Sequence, residues 1–252
     1  MTTTSIELHK LGKLPVRVDV RTLLLARYLD TSQLPVAPDA LDLTEHVPDW
    51  PMYANDRIGD CTIAAAGHMI EVWTAAAAGE AVEVSESSVL AAFDRVKIVD
   101  PRTGEEGAVE LDVLRDWRTH GVGHHRIAAY ARVSGHDHEL VRSAAWLFGG
   151  LYIGLALPVS AQQQRVWDWT GSLSGDARPG SWGGHAVNVV CYDAWGLTVV
   201  TWGRLQELTW AFWDRYCDES YAILSKDFLE AEHAPNGFDL AALKADLALV
   251  TA

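Results

Sequence analysis

The chain has 252 residues, of which 49% are hydrophobic and 21% charged, and its formal net charge is -14. This balance excludes intrinsic disorder and predicts one large lobe or two closely packed lobes with substantial cores. A negative surface repels phosphate backbones, so we expect no nucleic-acid partner and a weak preference for basic ones.

No segment predicts a membrane span or export. The longest apolar stretch, 144–157, is short and interrupted by glycine, and residues 1–10 lack the apolar core of a signal peptide. The three cysteines, Cys61, Cys191 and Cys217, are too few and too dispersed for a disulfide framework. We therefore expect a cytoplasmic protein with free thiols and no membrane partner.

The first 150 residues predict an arm followed by helices. Residues 1–50 are rich in proline and short apolar clusters, which indicates an extended arm lying over the body. Apolar residues at helical spacing predict a buried helix over 62–78, with Cys61 at its start. Three further helices are predicted from apolar faces and end signals, at 85–96, 111–120 and 138–148.

The last third of the chain favours strands. The run 151–157 has the length of a buried strand, and two β-rich runs predict a hairpin, 186–192 and 197–202. Residues 208–216 predict an aromatic helix, and 219–225 another strand. The predicted order is therefore arm, helices and then an antiparallel sheet.

Cys61 and His185 form the pair with the clearest chemistry. A thiol reacts as the thiolate, whose formation is favoured at a helix N-terminus, and His185 begins a predicted strand that would hold a base rigidly. Such a pair is common in chains of this size, so the flanking residues decide. Asn55, six residues before the thiol, could donate to an oxyanion beside the Cys61 N–H, and Gly59 allows a tight turn into the helix.

These motifs resemble those of the papain-like cysteine peptidases. That family carries a Gln six residues before the nucleophile, a Gly-Ser-Cys step onto a long helix, a late strand headed by His-Ala, and a strand ending in Asn-Ser-Trp-Gly. The matching residues here are Asn55, Gly59-Asp60-Cys61, His185-Ala186-Val187 and Thr201-Trp202-Gly203. The similarity runs from Leu34-Pro35 to 221–224, and Glu106-Gly107-Ala108 resembles a segment of bacterial members.

The resemblance implies an α+β, papain-like fold in which a helical lobe with a central Cys-bearing helix packs against an antiparallel β-sheet or barrel lobe. It implies an N-terminal extension over residues 1–33 and a papain-like domain over 34–252. Within that domain the helical lobe would span 34–150, the β lobe 151–230 and a helical tail 231–252. It also implies a set of catalytic residues, Cys61, His185, Asn55 and Thr201. The implied substrate-binding residues are Gly107, Ala108, Gly184 and Trp202. No cofactor or metal is implied.

The third catalytic position has two alternatives. Alignment on Trp202 places Val200 where the family has the Asn that orients the imidazole, whereas counting from His185 places Thr201 there. Threonine could orient the ring and valine could not. Asp60 likewise has two roles open to it, because it could oppose the thiolate or cap the helix.

Three functions fit this reading. The first is hydrolysis of peptide bonds through an acyl-enzyme on Cys61, with a peptide or protein as substrate. The second is a catalytically weakened or inactive peptide-binding or assembly protein, for example in a phage virion. The third is acyl or amide transfer by the same thiol, with water excluded by the aromatic helix at 208–216.

For the other histidines we expect solvent-exposed or structural positions and no part in catalysis or metal binding. A group in the middle of the chain has spacings that match no structural zinc site, so we expect solvated loop residues: His120, His124, His125, His136 and His138. His68 follows Cys61 by seven residues and is predicted to be a hydrogen-bonded interior residue.

Overall fold

The computed structural model describes residues 9–28 and 36–226. Within them five helices form: α1 Cys61–Ala78, α2 Glu86–Val96, α3 Glu110–Thr119, α4 His138–Phe148 and α5 Trp210–Tyr216. The strands there are β1 Leu41–Asp42, β2 Ile98–Val99, β3 Glu106–Gly107, β4 Ile127–Arg132, β5 Leu151–Leu157, β6 Gly183–Tyr192, β7 Gly196–Thr201, β8 Arg204–Thr209 and β9 Cys217–Ser225. The predicted tail 231–252 and the Leu34-Pro35 motif lie outside the described residues.

Helix α1 is the central element of the helical side. It is buried from Cys61 to Ala75 and packs on α2, α3 and strand β6. Its end is set by Gly79, whose φ of 73° is left-handed and whose N–H donates to the Ala75 carbonyl. The predicted buried helix that begins at Cys61 is confirmed.

The larger sheet is antiparallel, and His185 lies on one of its inner strands, β6. Its order is β4-β9-β5-β6-β7-β8, with β1 paired to β6, while β2 and β3 form a separate two-stranded sheet. In the register of β5 and β6, Leu155 faces His185 and Gly154 faces Ala186. The base therefore sits on a long strand that is paired along both of its edges.

Two apolar clusters flank the sheet. Side chains on one face, such as Val187 and Ile153, pack with helices α4 and α5. Those on the other face, such as Ala186 and Tyr152, pack with α1, α2 and α3. This alternation follows the two-residue period of a strand, and it makes the structure an α+β fold in which helices cover both faces of an antiparallel sheet.

Two sequence predictions differ from the structure. The helix predicted at 208–216 begins only at Trp210, because 204–209 is strand β8, and Thr209 caps the helix by accepting from the Phe212 N–H. Strand β4 was not predicted. Its buried positions include Ala129 and Ala131, and alanine is a weak strand former, so the alternation gives little signal.

No helix among residues 9–28 and 36–226 is both long enough and apolar enough to cross a membrane.

Candidate active site

Cys61 occupies the first position of α1 and is 1% exposed. Burial raises the pKa of its thiol to about 12, although the backbone N–H groups of Ala186 and Gly12 near the sulfur act in the opposite direction. The Ala186 N–H lies 3.5 Å from the sulfur. The helix N-terminus is therefore outweighed by desolvation, and the thiol is neutral in this conformation.

Asp60 does not cap the helix that it precedes. Its side chain makes no capping hydrogen bond, and burial raises the pKa of the carboxyl to about 8. At neutral pH the carboxyl is mostly protonated, so its opposition to a thiolate at Cys61 is weak.

His185 is 1% exposed, and its ring is held on two sides. Its Nε2 lies 2.6 Å from the Thr201 hydroxyl, and its face stacks on Trp202 at 4.3 Å between ring centroids. Burial lowers the pKa of the ring to about 3. When Nε2–H donates to Thr201, the lone pair of a general base is left on Nδ1, which is buried and has no hydrogen-bond partner among the described residues.

The structure places Thr201, and not Val200, beside the imidazole. Val200 points to the other face of strand β7, into a small apolar cluster with Val47 and Val72. The next residue, Trp202, has a left-handed φ of 45°, which turns the chain sharply after β7. Sparsely populated backbone of this kind often marks a functional site, and here it seats the indole on the histidine.

Asn55 completes the set of predicted catalytic residues. It is buried, and its side-chain amide donates to the Ile58 carbonyl at 3.2 Å. One small cavity of about 10 Å³, room for about one water molecule, is lined by all four predicted catalytic residues and Trp202. None of the residues of α5 lines this cavity, so the predicted aromatic helix lies elsewhere.

Residues 9–14, here called the cleft segment, run in front of Cys61. Gly12 packs tightly against the turn that precedes Cys61, because a Cβ at this position would lie 1.8 Å from the Gly59 carbonyl oxygen. The segment presents an N–H to the sulfur, while the Gly12 carbonyl accepts from the Ala108 N–H at 2.8 Å. The carbonyl of Gly12 is thus directed away from the thiol.

The predicted substrate-binding residues all contact the cleft segment. Ala108 also accepts from the Leu14 N–H at 2.9 Å, and Gly184 accepts from the Lys13 N–H at 3.1 Å. The Trp202 indole donates to the Lys10 carbonyl at 3.1 Å. Gly107 packs so closely that a Cβ there would lie 2.4 Å from the Gly12 oxygen. The predicted arm therefore does not only cover the body but enters the cleft.

Lys13 is a buried residue of the cleft segment that the sequence patterns did not single out. Its side chain is 1% exposed and reaches two acidic residues of β9, with Nζ 2.9 Å from Asp218 Oδ1 and 3.1 Å from Glu219 Oε1. No local signal marks this contact, because the acidic partners lie some 205 residues further along the chain. Its significance follows from the fold alone.

The expectation of solvated loop histidines is wrong for two of the five: His125 is buried, and His138 is the first residue of α4, with Nε2 2.7 Å from Asp214 Oδ1. The remaining cysteines and His68 make structural contacts. His68 Nε2 bonds to the Pro51 carbonyl at 2.8 Å in the interior, as predicted. Cys191 donates to Asp42, and Cys217 to the Glu219 carbonyl. In the part of the chain that the structure describes, no group of three or more His, Cys, Asp or Glu side chains is arranged to hold a metal ion.

Solved structures with a similar fold are papain-like cysteine proteases. Xylellain, a cysteine protease from Xylella fastidiosa, has a TM-score of 0.63 at 16% identity, over 89% of this chain and 99% of xylellain. A proCathepsin B from Trypanosoma congolense gives 0.58 at 12% identity, over 86% of each chain. The Carica candamarcensis cysteine protease CMS1MS2 gives 0.53 at 15% identity, over 74% of this chain and 98% of its own.

The chain has the papain-like fold. No protein-family model matches the sequence, and no curated protein matches it. At the identities found, the likeness to solved structures is one of architecture, which confirms the fold class that the motifs around Cys61 and His185 imply.

Proposed function

We propose that this protein is a cysteine peptidase that hydrolyses peptide bonds through an acyl-enzyme on Cys61. The observation that carries the proposal is that the cleft in front of Cys61 already holds an extended peptide by its backbone, through Ala108 and Gly184. A base, His185, lines the same cavity as the thiol and is oriented by Thr201.

In the proposed reaction the thiol proton moves to His185 Nδ1, and the sulfur attacks the carbonyl carbon of the bound peptide. The negative charge that develops on the carbonyl oxygen is stabilised by the Cys61 N–H and the Asn55 amide. His185 then gives its proton to the departing amine as the C–N bond breaks. Water, losing a proton to His185, attacks the thioester carbonyl carbon; the carbon–sulfur bond breaks, and His185 returns the proton to the sulfur as the acid leaves.

In this scheme the cleft segment lies in the substrate site but is not cleaved. Gly12 offers the sulfur an N–H in place of a carbonyl carbon, and its carbonyl is engaged by Ala108. Burial raises the pKa of Cys61 and lowers that of His185, which opposes formation of the ion pair, although the Gly12 N–H acts to lower the pKa of Cys61. Departure of the segment would admit water to the cleft and so reduce the part of this burial that the segment causes.

The features that suggested a non-catalytic role or acyl transfer have a different explanation. A non-catalytic role was suggested by the third catalytic position, yet Thr201 hydrogen-bonds the imidazole. Acyl transfer was suggested by a water-excluding aromatic helix, yet α5 packs in the core, where Trp213 is buried.

The test uses the full chain with Lys13→Ala, which loosens the cleft segment, and a diverse peptide library read by mass spectrometry. We expect new peptide termini that disappear in Lys13→Ala chains that also carry Cys61→Ala or His185→Ala. Cleavage that survives Cys61→Ala would refute the proposal. So would the absence of cleavage in a Lys13→Ala chain whose Cys61 reacts freely with an alkylating reagent. An added amine found in the products would indicate transfer in place of hydrolysis.

A further inference from the structure

The pocket that receives the Lys13 ammonium group contains three acidic side chains. Nζ contacts both oxygens of Asp218, at 2.9 and 3.0 Å, and Glu219 Oε1 at 3.1 Å. Behind them lies Glu110, which is fully buried and whose two carboxylate oxygens have no hydrogen-bond partner among the described residues. Burial alone would lower the pKa of Lys13, but Glu110, Glu219 and Asp218 together raise it above its usual value.

The walls of the pocket are shaped for a long, unbranched side chain. A Cβ at Gly154 of β5 would lie 2.0 Å from Lys13 Cε, so only glycine leaves room for the lysine stem. The Tyr221 hydroxyl donates to Glu219 Oε2 at 2.8 Å and thereby fixes the direction of that carboxylate. The Tyr221 hydrogen bond holds one oxygen of Glu219 and leaves Oε1 facing the cation.

Buried carboxylates without a cation are costly. Glu110 and Glu219 are both removed from water, and burial raises the pKa of Glu110 well above its usual range, while Lys13 acts in the opposite direction. Buried polar oxygens without hydrogen-bond partners, such as those of Glu110, destabilise a fold, whereas apolar residues of similar size would not. Their placement here favours a role in binding a positive group over a role in stability.

The pocket also lies at a defined position relative to the thiol. Gly12 is the residue in front of the Cys61 sulfur, and Lys13 is its immediate neighbour. The Lys13 backbone is held at Gly184, so the side chain leaves the cleft next to the point where a bond would be cut. A peptide lying in the cleft would present a side chain to the pocket from the same place.

We infer that the Asp218, Glu219 and Glu110 pocket selects a lysine or arginine side chain of the substrate, and that Lys13 occupies it as the chain's own ligand. This inference rests on the proposed peptidase function. The substrate class is then a peptide with a basic residue within two positions of the cleaved bond. The net charge of -14 assists the approach of such peptides.

Binding in the full chain with Cys61→Ser and Lys13→Glu tests the pocket without turnover. The probes are two fluorescein-labelled peptides with the sequence of residues 9–16, one with lysine and one with norleucine at the position of Lys13. We expect the lysine peptide to bind at least tenfold more tightly by fluorescence anisotropy. Glu219→Gln should remove this difference, whereas Glu80→Gln, which removes the same charge from an exposed site, should retain it.

Equal affinity for the two peptides, or binding of neither, would overturn the inference. If Glu219→Gln fails to fold by circular dichroism, Asp218→Asn, at a partly exposed carboxylate, gives the same comparison. Lysine-selective binding without any Cys61-dependent cleavage would remove the peptidase proposal alone. Cys61-dependent cleavage that ignores lysine and arginine would remove the pocket's role alone.

Discussion

Replacing Lys13 with alanine should open the cleft, because the cleft segment is otherwise held only marginally. Five hydrogen bonds fix residues 9–14 in the described structure, worth about 5 kcal/mol together. Partial burial of Leu11 and Leu14 adds about 2 kcal/mol. Ordering six residues costs roughly 6–12 kcal/mol. These terms nearly cancel, so the ion pairs of Lys13 decide whether the segment stays.

The free-energy cost of removing the Lys13 ammonium group can be bounded from the behaviour of buried ion pairs. Removing one partner of a buried ion pair costs about 3–5 kcal/mol, and we take the lower end because water reaches the carboxylates once the segment leaves. About 3 kcal/mol corresponds to a change of roughly 100-fold in the opening equilibrium. Access to the Cys61 thiol should rise by the same factor.

The assay is alkylation of Cys61 by iodoacetamide at pH 7.5, followed by peptide mass spectrometry, with Cys191 and Cys217 as internal references. Lys13→Ala should react about 100 times faster than the unchanged chain at Cys61. The matched control is Lys10→Ala, which removes an exposed lysine from the same segment and should leave the rate within about threefold. Equal rates for Lys13→Ala and Lys10→Ala would refute the reasoning.

Gly12→Ala should open the cleft without any change of charge, because its Cβ would lie 1.8 Å from the Gly59 oxygen; an unchanged alkylation rate would contradict the packing. In the opened chain, Thr201→Val should lower turnover about 10–100-fold and Thr201→Ser should restore most of it, since the hydroxyl orients the imidazole; equal kcat for the two variants would exclude that role. Raising the pH from 6.5 to 8 should lower the free energy of unfolding by ~1 kcal/mol for each of Asp60 and Glu71. Burial raises the pKa of both to about 8, from 3.8 and 4.5, so unfolding releases their protons across this window. Burial lowers the pKa of His68 to about 4 and that of His185 to about 3, and both take up protons on unfolding at pH 6.5, which offsets the change by ~0.4 kcal/mol each. Urea unfolding at the two pH values measures the slope, which Glu71→Gln should reduce, and a flat curve would exclude the effect.

The sequence contained the local part of the fold. Helix α4 is observed with the predicted bounds, and α1 begins at the predicted cysteine, because apolar periodicity and terminal glycines are local signals. Strand β8 was missed because Leu205 and Leu208 are spaced as in a helix, while buried Gln206 is satisfied by the distant Arg165 carbonyl. Such a partner cannot be read from a local window.

The candidate site likewise has one part that the sequence could predict and one part that it could not. The motifs predicted Cys61 and His185 as partners, and the structure places both on one cavity without a hydrogen bond between them. Thr201, which contacts the imidazole, and Val200, which packs with apolar residues, differ in the side of β7 on which they lie. The seating of Lys13 beside Asp218 depends on the path of the arm over the body, which proline-rich sequence does not encode by periodicity. The acidic pocket could not be predicted for that reason.

The cleft segment is part of the same covalent chain as the thiol that it covers, and this changes how it competes with substrate. A tethered competitor acts at an effective concentration in the millimolar range that dilution cannot reduce. A peptide added in solution meets only the fraction of molecules whose cleft is open, and its apparent affinity falls by that fraction. Residues 9–14 would therefore set a threshold of substrate concentration that is the same in a dilute and in a crowded solution.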